Sequence, residues 1–482
     1  MIYKSSLALL TDLYELTMAY GYWKLGMMER QASFSLFFRR RPFGGNYAIA
    51  AGLQTAIEFI EAFRFGESDL TYLEGLKTPN GEYLFEPKFL DYLSKLSLNC
   101  DLYAMPEGTP VFPYEPLLFV RGPILEAQIL ESALLNIINF QTLIATKASR
   151  ICEAAEGDEV VEFGLRRAQG IDGALSGTRA SFVGGCHATS NVIAGKHFGI
   201  PVKGTHAHSW IMAFDKEEEA FKAYADVMPN NCIYLVDTYN TIEGVKKAIA
   251  VAKTKKEKML GVRLDSGDLA QLSIEIRKLL DEAGFTDAKI MASNELDEWV
   301  IRDLKMQGAK VNLWGVGTNL ITAKDQPALD GVYKLSAIQN EKGKWVNKLK
   351  ISEQLVKTTN PGILQVRRFY DKEKKAFADM LYDFEKGASD PCELIDPIDP
   401  SKRLSIRKGE KGRDLLIPIF SKGKKIYDAP MLTDIRLNTE KELETLPSSV
   451  RRFLHPHSYF IGLEKGVYDL KMELIYEIKG KK

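Results

Sequence analysis

A chain of 482 residues with 45% hydrophobic and 27% charged content has the length of two or three domains and the composition of an ordinary globular enzyme. Its 64 Lys and Arg balance 64 Asp and Glu, which excludes a global field favouring nucleic acid or membrane and leaves any anionic ligand to a local cluster. The five cysteines (Cys100, Cys152, Cys186, Cys232 and Cys392) are scattered without a CxxC pair, which argues against a disulfide framework or a structural zinc and fits a reducing cytoplasm.

The start, MIYKSSLALLTDLYELT, has only a short apolar run before Asp12. No signal peptide is expected, and no segment is expected to reach the apolar length that spans a bilayer. Leu13, Leu16 and Met18 fit a helix, Ser33 to Phe38 alternates like a strand, and Leu53 to Phe63 is helical again. Leu102 to Val120 is short, Pro-punctuated and β-like, and Ile124 to Ala155 reads as one long, mostly apolar helix. From about Val160 the pattern becomes regular. Short apolar runs fall at Val160–Phe163, Ile200–Lys203, Ile233–Val236, Leu260–Leu264, Lys289–Ala292, Val311–Val316 and Val332–Leu335. Helical stretches such as Lys216–Val227, Thr241–Lys253, Leu269–Ala283 and Glu295–Gln307 separate most of them. Strand–helix alternation predicts βαβ units and a parallel sheet, and this many units in one stretch suggests a barrel rather than an open sheet. After about Ala337 the chain turns charged and rich in Gly and Pro, which predicts a separate C-terminal module without the aromatic–basic interleaving of a nucleic-acid binder.

The ends of the expected strands are polar, and α/β enzymes put their chemistry there. GTHAHSW carries two of the six histidines, His206 and His208, just after Ile200 and Val202. VEFGLRRAQG puts Arg166 and Arg167 past a strand, with Gly164 permitting a tight exit. GVRLDSGDL supplies Arg263 and Asp265, followed by Ser266, Gly267 and Asp268, and IMASNELDEW supplies Ser293 and Asn294, either able to cap the next helix. NLWGVGTNL offers Gly315, Gly317 and Thr318 as a small-residue turn whose N–H groups could cradle a phosphate. IYLVDTYNT superficially resembles the ribose-and-diphosphate loop of one phosphoribosyltransferase class, but that loop needs adjacent acids and only Asp237 is present, so that class is rejected. Asp237 is left either as a site residue or as a helix cap. Together these ends predict an anion-seeking mouth with an acid at hand.

DLYELTMAYGYW, FFRRRPFGG, EFGLRRAQG, GTHAHSW, VRLDSGDL and WGVGTNL occur in this order. Through them the chain resembles the nicotinate phosphoribosyltransferases, type II phosphoribosyltransferases that work as dimers. The resemblance implies an α/β fold: an irregular α/β barrel over 126–340 and an N-terminal α+β domain over 1–125 contributing to the dimer partner's site. A C-terminal β-rich module over 341–482 would pack on the N-terminal domain. It implies synthesis of nicotinate mononucleotide and diphosphate from nicotinate and 5-phosphoribosyl 1-diphosphate, as the first step of NAD salvage from nicotinate. ATP hydrolysis would be coupled through a phosphohistidine on His208, since neutral imidazole is a competent nucleophile near neutral pH. His206 falls at a variable family position.

By the same resemblance, Asp265 would face the ribose hydroxyls or a cationic transition state. Thr205 would contact nicotinate, Phe163 would stack one face of the pyridine ring, and Tyr14, beside Asp12, would come from the other subunit. Arg263 suits the nicotinate carboxylate or a phosphate, and Arg166 the diphosphate or the carboxylate. Ser293 and Asn294, with Gly315, Gly317 and Thr318 as the 5′-phosphate cradle, complete the phosphoribosyl diphosphate set. Ser190, in ATSNV, stands where nicotinamide-using relatives place an aspartate, so a hydroxyl there predicts the acid as substrate. Magnesium is expected because two polyphosphates are handled. Two rivals remain at this point. One is a metal-dependent hydrolase using the HxH pair; the other is a sensor that keeps the fold without turnover.

Overall fold

The computed structural model describes residues 6–254, 259–354 and 357–480. It divides into two compact units, Met1–Leu143 with Ala328–Lys482, and Ile144–Pro327. The division thus falls at other places than 125/126 and 340/341. The reason is visible in the pairing of the first unit, where the C-terminal strand Ile417–Ser421 runs antiparallel to Asp101–Ala104. This places it in a seven-stranded sheet of order Trp345–Asn347, Gly331–Gln339, Gln31–Phe38, Leu118–Pro123, Asp101–Ala104, Ile417–Ser421 and Lys424–Lys425. The two ends of the chain build one sheet.

The run around Val332–Leu335 belongs there too, as part of Gly331–Gln339 paired antiparallel to Gln31–Phe38, and is no barrel strand. A second, six-stranded sheet of the same unit joins Leu364–Tyr370, Ala376–Asp383, Cys392–Ile395, Arg403–Ile406, Gly412–Asp414 and Phe460–Glu464. The β-rich C-terminal segment also holds the helices Leu432–Thr445, Ser448–Arg451 and Lys465–Lys479. At its centre Arg368 and Asp379, both fully buried, pair at 2.6 Å, and the Tyr459 hydroxyl donates to Asp379 at 2.8 Å. Arg368 also donates to the Pro110 carbonyl at 2.8 Å, which ties the C-terminal sheet to the N-terminal segment. Nearby, buried Glu115 has its carboxyl raised well above the usual range by burial and by Asp379, against the pull of Arg368.

The second unit is the expected irregular α/β barrel. Its strands are all parallel, in the order Ala188–Thr189, Glu159–Glu162, Leu313–Val316, Lys289–Ala292, Gly261–Leu264 and Ile233–Leu235. Ala188–Thr189 is too short and polar to stand out in the sequence, whereas the expected Ile200–Lys203 strand contributes only a parallel bridge from Val202 to Thr189. Between Val202 and the Ile233–Leu235 strand the connection is made by side chains. The Asn231 amide donates to the Gly204 carbonyl at 3.3 Å, and the Leu235 N–H donates to His206 Nε2 at 3.2 Å. The imidazole of His206 thus stands in for a backbone carbonyl.

Four of the helices between strands start at a side-chain cap: Asn191, Asn240, Asp268 and Asp297 each accept from a first-turn N–H. Asn240, not Asp237, caps Thr241–Lys253, and Asp297, not Ser293 or Asn294, caps Glu298–Met306. The apolar stretch Ile124–Ala155 is two helices, Ile124–Gln128 and Glu131–Ala155. It does have the length and composition to cross a bilayer, but 61% of its most apolar window is buried inside the protein, as in a core helix. All five cysteines are free thiols.

Candidate active site

Strand geometry places the site. Val161, Ala188, Met291 and Leu313 form a buried cluster of the barrel with Phe163 and Ile233 at its edge. Side chains two apart on a strand share a face. Continuing each strand by two residues past this cluster gives Phe163, Ser190, Ser293 and Gly315. Arg263 lies in register with Met291, so Arg263 and then Asp265 fall on the same face. These residues, all singled out from sequence, therefore emerge at one end of one barrel for a single geometric reason.

Arg263 is the hub. Its Nε donates to Ser293 Oγ at 2.9 Å, one terminal nitrogen to Thr205 Oγ1 at 3.1 Å and the other to Asp265 Oδ1 at 2.9 Å. Its guanidinium carbon lies 5.6 Å from the centre of the Phe163 ring, within cation–π range. Ser293 also donates to Asp265. Burial raises the Asp265 carboxyl, but the Ser293 hydroxyl and the charge and hydrogen bond of Arg263, aided by His208, outweigh it and hold the group below the usual aspartate range. Asp265 is therefore an anion at neutral pH. Its own N–H donates to Asp237 Oδ2 at 2.8 Å, and the Ser266 hydroxyl reaches the same oxygen at 2.6 Å. Asp237 thus orders the Asp265 loop, while its buried Oδ1 has no hydrogen-bond partner among the described residues.

His208 opens the helix His208–Met212. Its Nε2 lies 3.8 Å from Asp265 Oδ2, and its Nδ1 lies 3.1 Å from the hydroxyl of Thr238. The ring is thus held at one nitrogen and faces a carboxylate at the other. Thr238 was not singled out from sequence; its only signal is its place next to Asp237 at a strand end. His206 has a different role. Burial, then Arg263 and His208, lower its pKa to about 4 against one favourable contact with the Ala207 carbonyl. Its Nε2 is the acceptor for Leu235, so it is a neutral structural histidine and not half of a metal-binding pair.

The glycines divide. A Cβ at Gly315 would lie 2.9 Å from two Phe163 ring carbons and 2.8 Å from the Met291 methyl, so Gly315 makes room for the Phe163 ring. Gly317 precedes the short helix Thr318–Ile321. Asn294 and Glu295 are both left-handed, at φ 88° and 42°, which is costly for side-chain-bearing residues. The buried Asn319 amide restrains that turn by donating to the Glu295 and Leu296 carbonyls at 3.0 and 3.1 Å. Arg166 is exposed, and Ser190 is fixed by its N–H, which donates to the Glu162 carbonyl at 2.9 Å. Tyr14 belongs to the other unit, 46% exposed on Leu13–Lys24. Its hydroxyl is pushed up to about 12 by burial and by Glu131, Glu15 and Asp12, while the Ser132 hydrogen bond pulls the other way.

Comparison with known proteins agrees with this geometry. The sequence profile of the nicotinate phosphoribosyltransferase (NAPRTase) family matches residues 159–381, that of its N-terminal domain 9–139, and that of its C-terminal domain 364–471. A nicotinate phosphoribosyltransferase of Bacillus subtilis (strain 168) is 46% identical over 485 residues, spanning 99% of this chain and 96% of the relative. The Homo sapiens nicotinate phosphoribosyltransferase is 33% identical over 531 residues, spanning 95% and 94%. The crystal structure of human nicotinic acid phosphoribosyltransferase superposes with a TM-score of 0.83 at 30% identity, over 96% of this chain and 99% of that one. With matches along nearly its whole length, the chain belongs to the nicotinate phosphoribosyltransferase family of transferases.

Proposed function

We propose that the protein joins nicotinate to 5-phosphoribosyl 1-diphosphate, giving nicotinate mononucleotide and diphosphate, and that ATP hydrolysis drives the reaction through a phosphohistidine on His208. The observation that carries this reading is the linked set His208, Asp265, Arg263, Ser293 and Thr205 at one barrel end. In this scheme a lone-pair nitrogen of His208 attacks the γ-phosphorus of ATP, a P–N bond forms, and ADP leaves. Hydrolysis of that bond returns the imidazole and inorganic phosphate. Asp265, held as an anion, stabilises positive charge on the ribose as the bond to diphosphate breaks and the pyridine nitrogen attacks C1. Arg263 and Arg166 take carboxylate or phosphate oxygens, and Phe163 offers a ring face to the pyridine. Ser293, Asn294, Gly315, Gly317 and Thr318 line the phosphoribosyl side, and the missing side chain of Gly315 also makes room for the Phe163 ring.

Ser190 gives the preference for the acid, because an aspartate there would repel a carboxylate. Magnesium enters with the polyphosphates. Among the described residues no group of three or more His, Cys, Asp or Glu is placed to hold an ion alone. The chain would therefore add one or two carboxylates, for which Asp265 and Asp237, whose Oδ1 has no hydrogen-bond partner among the described residues, are suited.

The assembly is a homodimer in which Tyr14 completes the partner's site. Leu13, Tyr14 and Met18 leave an apolar face of one helix 53%, 46% and 41% exposed, which a second copy would cover. Free thiols fit a cytoplasmic location. Labelling with γ-phosphate-labelled ATP tests the mechanism: an acid-labile, base-stable phosphoryl group on wild type and none on His208→Ala is expected. Equal labelling of both proteins contradicts it. Mixed dimers of Tyr14→Ala with His208→Ala subunits test the sharing: activity recovered on mixing supports it, and none recovered rejects it.

A further inference from the structure

Glu162 is an acid in an unusual place. It ends the Glu159–Glu162 strand, second in the order of the barrel sheet and next to Ala188–Thr189, and is 1% exposed. Its Oε2 accepts from the hydroxyl of Thr189 at 2.7 Å and shares that of Thr178, at 3.0 Å, with the Ala174 carbonyl at 2.8 Å, and its Oε1 accepts from the Gly164 N–H. Its backbone carbonyl accepts from the Ser190 N–H at 2.9 Å. An apolar side chain would fill this space without the desolvation that a buried carboxyl suffers. What Glu162 adds is direction: three donors from three segments meet on one side chain.

The consequence falls on two residues of the candidate site. Phe163 is flanked by Glu162 and by Gly164, which Glu162 holds, and its own N–H donates to the Val316 carbonyl at 2.8 Å. Gly164 admits no side chain, because a Cβ would lie 2.7 Å from Glu162 Oε1 and against Ile321. Ser190 is likewise bracketed. Thr189 before it is bound to Glu162, and Asn191 after it donates its N–H to Thr189 Oγ1 at 2.9 Å and its amide to Thr178 Oγ1 at 3.3 Å. Asn191 then caps the next helix. The ring-facing loop and the loop carrying the acid-selecting position hang from the same carboxyl.

We propose that Glu162 is a positioning residue that sets the nicotinate subsite by fixing Phe163 and Ser190 relative to each other. The inference rests on the functional reading above. Glu162→Gln keeps the shape but leaves too few acceptors for the Gly164 amide and the Thr hydroxyls together. Thr189→Val removes one arm without touching the carboxyl and serves if Glu162→Gln does not fold.

The measurement is steady-state synthesis of nicotinate mononucleotide, with each substrate varied in turn. Either variant is expected to raise the KM for nicotinate about tenfold, a loss of the size of one hydrogen bond. The KM for phosphoribosyl diphosphate should change less than about threefold on the same scale. Thr189→Ser, which keeps the hydroxyl, should leave the nicotinate KM near wild type. An unchanged nicotinate KM in folded variants overturns the inference, as does a loss shared equally by both substrates, or a Thr189→Ser that is as impaired as Thr189→Val. Wild type that makes no product overturns the functional reading itself, so the two failures are told apart.

Discussion

Two arginine–aspartate pairs, one in each unit, are built from the same groups and meet opposite fates. Arg368 and Asp379 are both 0% exposed, joined by the Tyr459 hydroxyl and covered by the rings of Phe112 and Tyr459. Arg263 and Asp265 are 13% and 32% exposed, joined by the Ser293 hydroxyl and open on the side of His208. The sealed pair shows its charge to nothing but its own neighbours, so it can only hold the two ends of the chain together. The open pair keeps donors and a carboxylate oxygen facing outward, so the same ion pair becomes a tool for a charged ligand. Exposure, more than residue type, separates a structural ion pair from a chemical one.

Cutting each pair should break the molecule in different ways. Arg368→Met leaves Asp379 buried beside Glu115 without its cation and should cost about 3–5 kcal/mol of stability. Urea unfolding measures it, and a cost below about 1 kcal/mol, the size of an exposed pair, would equate the two sites. Asp265→Asn should lower kcat on the order of 100- to 1,000-fold, the scale for removing one preorganised electrostatic group. Its unfolding midpoint should stay near that of wild type. If Asp265→Asn lost stability instead of turnover, the distinction between the pairs would collapse.

A third test sharpens the contrast between the two histidines of GTHAHSW. His206 has a folded pKa of about 4, below the unfolded value of 6.5, so the unfolded chain binds the extra proton between those pH values. Its contribution is complete above pH 6.5 and is lost as pH falls towards 4, by up to about 3 kcal/mol. The stability difference between wild type and His206→Gln should therefore shrink on going from pH 7 to pH 5. A difference that is flat over that range would show that His206 is not held neutral by the fold. The smallest expected effect is at Ser190. Ser190→Asp should weaken nicotinate use about tenfold through like-charge repulsion, with folding intact. Full activity with nicotinate would remove Ser190 from the ring site.

Much of this is legible in the sequence, for physical reasons. Parallel strands buried on both faces read as short apolar runs, and the polar residues that follow them mark the strand ends, so Arg263, Asp265, Ser293 and His208 stand out from the order of residues alone. What stays hidden depends on contacts distant in sequence. The Gly331–Gln339 strand looks like a barrel strand by composition, and only its pairing with Gln31–Phe38 puts it elsewhere. Ala188–Thr189 has no apolar run to betray it, and Glu162 reads as an ordinary end-of-strand charge until Thr178 and Thr189 fold onto it. That Gly315 makes room for the Phe163 ring is hidden because that ring is about 150 residues away in the chain. The role of His206 depends likewise on meeting the Leu235 amide.

In the proposed mechanism His208, set between Thr238 and Asp265, couples ATP to synthesis. The most direct test is nicotinate mononucleotide formation from nicotinate and phosphoribosyl diphosphate, with and without ATP, for wild type and His208→Ala. Product that rises with ATP in wild type, and does not respond to ATP in the variant, is the predicted result. An ATP response that survives in His208→Ala would contradict it.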